Sequence, residues 1–226
     1  MIKGVIFDMD GVIIDSEPIH FKVEKAILSN FNEPFTMQDH ARFVGGTPRN
    51  LYKTICEERG INQSFEVLAL LDAADYMEEL KRGHLEAIEG IPELIKGLKK
   101  SNVPMVLASS ANHNNIEIVL DRLELKEYFE GRVSGQDVER TKPDPEIFIK
   151  AADILGLKPE NCLVIEDANH GVEAAKAAGM YCVAYRNLNS GNQNLSKADL
   201  IIDNIADLDI KSINQSISQT NNNYVT

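Results

Sequence analysis

The chain has 226 residues, 43% hydrophobic and 26% charged, enough for one sizeable core or for a core with a smaller lobe. Its formal net charge of −12 excludes non-specific attraction to nucleic acid or to an anionic membrane. An anionic substrate would therefore need a metal ion, a lysine or backbone amides where it binds.

Three cysteines, Cys56, Cys162 and Cys182, stand in no metal-ligand spacing, and two of them lie in apolar runs, which argues against a disulfide framework. The opening residues lead straight into an apolar stretch with no room for a signal peptide, and no apolar run reaches membrane-span length. These features predict a reduced, soluble, cytoplasmic protein.

The first apolar run, Gly4 to Phe7, reads as a short strand buried on both faces, as in a parallel sheet. It drives into Asp8-Met9-Asp10-Gly11. Residues i and i+2 of an extended stretch project to the same side, so Asp8 and Asp10 repel each other unless a divalent cation or a shared proton intervenes. A bare DxDG is also compatible with a solvated loop. An EF-hand is not, because Gly11 comes fourth and follows a strand.

From Ser16-Glu17-Pro18, a helix start, the period becomes helical through Ile19, Val23, Ala26 and Ile27. A short helix over 36–43, one from Gly-Gly-Thr-Pro at 45–48 to Gly60, and one from Ser64 towards Gly83 follow. No convincing strand interrupts residues 16–83, which read as an all-helical insert. Beyond Gly90, helices over 91–100, 114–123, 144–155 and 170–178 alternate with strands over 104–108, 132–134, 162–165, 180–185 and 200–202. Such alternation implies parallel pairing and right-handed crossovers. The polar stretch 214–226 reads as a disordered tail.

Three of these strands deliver polar groups at their carboxyl ends: Asp8 and Asp10, then Ser109 and Ser110, then Glu166 and Asp167. Lys142, in Thr141-Lys142-Pro143-Asp144-Pro145, falls between the last two. The carboxyl ends of parallel strands share one edge, where α/β sheets bind ligands. Neither a P-loop nor a GxGxxG is present.

These residues, in this order, resemble the motifs of the haloacid dehalogenase superfamily. The likeness is to the branch with a helical cap after the first strand, which contains sugar-phosphate phosphatases and β-phosphoglucomutase. The motifs are Asp8-Met9-Asp10-Gly11-Val12-Ile13-Ile14-Asp15-Ser16, Ser109, Lys142 and Glu166-Asp167. The resemblance implies a Rossmann-like parallel α/β core over 1–15 and 84–213, a helical-bundle cap over 16–83, and hinges near Ile14-Asp15 and Gly83-Leu85. It implies that Asp8 is the nucleophile and Asp10 the general acid and base. Ser109, Ser110 and Lys142 would bind phosphate, and Mg²⁺ would be held by Asp8, Asp10 and Asp167 with Glu166 outside. It aligns His20 and Arg49 with substrate-handling cap residues of β-phosphoglucomutase.

The expected activity is Mg²⁺-dependent hydrolysis of a small phosphorylated metabolite, a sugar phosphate, through an aspartyl phosphate. The alternatives are a phosphomutase of the β-phosphoglucomutase type and a non-catalytic binding relative. A monomer without nucleic-acid or membrane partners is expected. The identity of the metabolite and the cap residues that touch it are not legible at this level.

Overall fold

A computed structural model describes residues 1–215 of the protein. Its core is a six-stranded parallel sheet in the order β3-β2-β1-β4-β5-β6. The strands are β1 (Gly4–Phe7), β2 (Met105–Ser109), β3 (Gly131–Ser134), β4 (Cys162–Glu166), β5 (Tyr181–Tyr185) and β6 (Leu200–Ile202). All four residues of β1 are buried, because both faces of the sheet are covered. Val5 and Phe7 enter the core on the side of α5 (Ile91–Lys100) and α6 (His113–Arg122). Ile6 enters the opposite core with α7 (Glu146–Leu155) and α8 (Asn169–Ala177). Each such side chain contributes about 1.5–3 kcal/mol by leaving water.

Between β1 and β2 lies a helical bundle made of α1 (Glu17–Ser29), α2 (Met37–Ala41), α3 (Pro48–Arg59) and α4 (Phe65–Arg82). Local chemistry sets these boundaries. Thr36 and Asp39 form a reciprocal capping box for α2, and Thr47 caps α3 with Pro48 in its first turn. Ser16 does not cap α1 with its side chain; it is hydrogen-bonded to Tyr76 instead. The two segments that connect the bundle to the core are held together where Ile88 N–H donates to the Ile13 carbonyl at 2.9 Å. Arg122 also donates to the carbonyls of Leu80 and Gly83, at 2.8 and 2.9 Å.

Two boundaries differ from the sequence reading. Helix α7 begins two residues later than expected because Pro145 occupies its N-cap. Order also continues past Ile213: the Asn214 side chain both accepts from and donates to the Ile2 backbone, at 2.6 and 3.2 Å. The remainder of the expected tail, 216–226, lies outside the described residues. Among the described residues, no helix is long and apolar enough to cross a membrane.

Candidate active site

The strand order reverses direction at β1, with β2 on one side and β4 on the other, and the carboxyl ends of these strands open into a cleft of about 560 Å³. Asp8, Asp10, Ser109, Ser110, Lys142, Glu166, Asp167 and His20 all line it. Arg49 does not. Its guanidinium lies over the Phe65 ring and 3.2 Å from Glu66 on the outside of the bundle, with 68% of the side chain exposed. In this structure Arg49 therefore stands apart from the cleft where the sequence reading expected it to handle substrate. At the start of α3, Thr47 and Pro48 line the cleft while Arg49 meets Phe65 and Glu66 of α4.

Asp8 leaves β1 with its N–H bonded to the Ile165 carbonyl at 3.0 Å, which fixes it against β4. The chain then curls so that the amides of Val12, Ile13 and Ile14 all approach the Met9 carbonyl. Gly11, with φ of +80°, makes this curl, and a Cβ there would fall inside the Asp167 carboxylate. Gly171 has the same function beneath Glu166, where a Cβ would overlap the carboxylate. The two glycines let backbone approach both acids of the β4 end.

Lys142 is buried and donates to Asp8, to Glu166 at 2.8 Å and to the Ala108 carbonyl at 3.3 Å. One ammonium thus faces two carboxylates, with Asp167 close behind. Burial pushes the Asp8 carboxyl up to about 8; Lys142 opposes the rise, and Glu166 and Asp10 add to it. Burial, then Glu166 and Asp8, push Asp167 well above the usual carboxylate range. Burial works against the Lys142 ammonium too, but Asp8 and Glu166 outweigh it and hold the group protonated beyond its ordinary range.

This excess of buried negative charge is what a divalent cation relieves. Among the described residues, no three His, Cys, Asp or Glu side chains stand as a ready ligand set. The donors that converge here are two carboxylates, Asp8 and Asp167, beside the Asp10 main chain, a hard-oxygen set that fits Mg²⁺ better than a thiophilic metal. Glu166 is engaged elsewhere, accepting from Lys142 and from the amides of Asp167 and Ala168 at 2.8 and 2.9 Å.

Several residues join the site without having been singled out in the sequence. Ser190 donates to Asp167, and Asn187 donates to the Gly11 carbonyl at 3.2 Å. Both lie in the loop after β5, whose Asn, Ser and Gly follow a buried strand as the motif residues do, and that position is the signal that could have found them. From the helical bundle, Tyr76 donates to Asp10 Oδ1 at 3.2 Å while its ring stacks on His20 at 4.1 Å between centroids. Tyr76 was hidden because a tyrosine at helical spacing reads as core.

A second ionic group lines the bundle side of the cleft. His40 is buried, with Nδ1 2.6 Å from Glu24 and Nε2 3.0 Å from Glu17; the latter contact lies off the line of a hydrogen bond. Burial lowers the affinity of the imidazole for its proton, but the two carboxylates beside it, Glu17 and Glu24, outweigh burial and raise its pKa to about 9. A histidine pKa raised on folding contributes stability fully below about 6.5, and that contribution is lost as pH rises through 9. Urea unfolding should show wild type losing about 1–3 kcal/mol between pH 6.5 and 10 that His40→Gln does not lose. Parallel pH curves for the two proteins would refute this assignment.

A parallel α/β sheet with an inserted helical bundle, and with acids and a lysine meeting at its carboxyl edge, is the architecture of a hydrolase class built on a strand-end aspartate. Residues 5–185 match the family of haloacid dehalogenase-like hydrolases, and the chain belongs to that family. It is 33% identical over 186 residues to a phosphorylated carbohydrates phosphatase of Thermotoga maritima, covering 79% of this chain and 82% of that protein. It is 31% identical over 223 residues to the β-phosphoglucomutase of Bacillus subtilis, covering 96% of each. Its fold superposes on the crystal structure of a predicted phosphoglycolate phosphatase from Haemophilus somnus with a TM-score of 0.82, at 21% identity, over 94% of this chain and 98% of the other.

Proposed function

We propose that the protein is a Mg²⁺-dependent phosphoric monoester hydrolase that cleaves a small phosphorylated sugar through an aspartyl phosphate on Asp8. The observation that carries this reading is Lys142 held between Asp8 and Glu166 at the floor of a cleft that Asp10, Ser109 and Asp167 also line. The similarity to a phosphorylated carbohydrates phosphatase supports the substrate class.

In the proposed reaction an Asp8 oxygen attacks phosphorus while the bond from phosphorus to the sugar oxygen breaks. Asp10 gives its proton to the departing oxygen. Asp10 then removes a proton from water, whose oxygen attacks phosphorus, releasing inorganic phosphate and restoring Asp8. Lys142 and the Ser109 and Ser110 hydroxyls hold the non-bridging oxygens, so that charge building on them meets fixed positive or donor groups. Asp8, Asp167 and the Asp10 carbonyl would hold Mg²⁺, which supplies positive charge that lets a carboxylate approach a phosphate dianion. The bundle over 16–83 acts as a cap, and Tyr76 ties the position of the cap to Asp10.

The end-to-end match to a β-phosphoglucomutase makes a mutase the second reading, in which a sugar hydroxyl replaces water as acceptor. One assay tests both. Phosphorylated sugars are supplied with Mg²⁺, and phosphate release is expected, with loss in excess EDTA and recovery when Mg²⁺ is restored. Full activity in EDTA would overturn the metal assignment. Conversion of β-glucose 1-phosphate, primed with the 1,6-bisphosphate, to the 6-phosphate with negligible phosphate release would make the protein a mutase.

A further inference from the structure

The phosphate end of the cleft carries its positive charge on Lys142, and among the described residues lining the cleft this is the one lysine or arginine. The opposite wall, where the alcohol part of an ester must lie, is formed by α1 and the segment from His40 to Leu51. Its carboxylates are Glu17 and Glu24, grouped with His40, and His20 on α1 adds a second imidazole to the lining. Glu24 is nearly covered and committed to His40 at 2.6 Å, whereas the Glu17 side chain is 21% exposed and stands at the cleft surface. With His40 protonated, the three groups sum to one net negative charge. The neighbouring wall is neutral, made by Phe43, Val44 and Pro48. Arginines that could have offset the charge are paired outside the cleft, Arg42 with Glu58 at 2.5 Å and Arg49 with Glu66 at 3.2 Å.

We propose that Glu17 is a specificity-determining residue: it faces the leaving group across the cleft and rejects phosphomonoesters that carry a second anionic group. This rests on the hydrolase reading above and narrows it. The substrate is a singly phosphorylated, otherwise uncharged polyhydroxy compound, and phosphocarboxylates and bisphosphates are excluded. A carboxylate or second phosphate would approach a wall where two carboxylates, Glu17 and Glu24, share one imidazolium, and like-charge repulsion from that excess would oppose its binding. Hydroxyl groups meet no such penalty, and Glu17 accepts hydrogen bonds from them.

The test uses the full-length protein with Mg²⁺ and compares kcat/KM within matched carbon skeletons. One set is glucose 6-phosphate, 6-phosphogluconate and glucose 1,6-bisphosphate; the other is glycerol 3-phosphate and 3-phosphoglycerate. p-Nitrophenyl phosphate serves as a reporter of hydrolysis itself. Each neutral ester should exceed its anionic counterpart by about tenfold or more. Glu17→Gln should shrink that ratio several-fold by raising activity on the anionic esters, and added salt should shrink it in wild type. Anionic esters turned over as well as neutral ones by wild type, while p-nitrophenyl phosphate is hydrolysed, would overturn the proposal and leave the hydrolase reading standing. An unchanged ratio in a folded Glu17→Gln protein would likewise overturn it. No phosphate release from any ester would sink the hydrolase reading, and this proposal with it.

Discussion

Asp8→Asn is expected to lower kcat/KM for phosphate release by about four orders of magnitude or more, while the protein stays folded. The substitution removes one nucleophilic oxygen and changes little volume. It also removes a carboxylate that burial, Glu166 and Asp10 all disfavour in its charged form. Lys142 keeps its bond to Glu166, so no cation is stranded. The thermal midpoint of the metal-free protein should therefore hold or rise. Rapid quenching of wild type during turnover should yield a phosphorylated peptide containing Asp8, and Asp8→Asn should yield none. A variant that turns over near the wild-type rate would show that Asp8 does not form the covalent bond.

The second large effect concerns stability. Lys142→Met should destabilise the metal-free fold by about 3–5 kcal/mol at alkaline pH, because breaking a buried pair leaves its partner charge uncompensated. Asp8, Glu166 and Asp167 would then face one another with no ammonium among them. The sign with pH follows from the carboxyl groups. Asp8 has a pKa raised on folding, so the carboxyl favours the folded state most at low pH and less as pH rises through about 8. Losing Lys142 raises it further, so the deficit should be small at pH 6 and grow towards pH 9. Urea unfolding of both proteins at the two pH values checks this, and a deficit that grew towards acid would contradict it. Activity should fall with the same substitution, since a phosphate-binding cation is lost.

Most of the core was legible because its strands are apolar on both faces and bounded by turn residues. Leu200–Ile202 and Cys162–Glu166 lie where their composition put them. Ser109, Glu166 and Asp167 could be found because each ends or directly follows such a strand. The same rule, applied after Tyr185, would have reached Asn187 and Ser190, but the loop there has no regular spacing and its partners are distant in sequence. The bundle was less legible in function than in form. Helix periods located Phe65–Arg82, yet periodicity does not say that Tyr76 leaves the apolar face to meet Asp10. Nor does an arginine after Gly-Gly-Thr-Pro reveal its direction, which Phe65 and Glu66 settle by drawing Arg49 outward. Glu17, Glu24 and His40 are scattered along two helices, and only their packing makes them one group.

The pairing of β1 also bears on how the chain is made. Val5 stands in register with Met105 on one side and Gly4 with Cys162 on the other, so the central strand gains β2 early but lacks its second sheet partner until β4 has been synthesised. At about 5–20 residues per second, the interval before β4 appears is roughly 10–30 s. During that time the helical segment 17–82 can already form from local contacts, whereas Val5, Ile6 and Phe7 can pair with β2 alone and stay open along the edge that β4 will cover. A nascent chain halted before residue 162 should thus hold a folded bundle beside a half-built sheet whose apolar β1 edge is open, a ready target for holding chaperones. Enzymatic activity, which needs both flanks of β1, should appear only once β4 has joined the sheet.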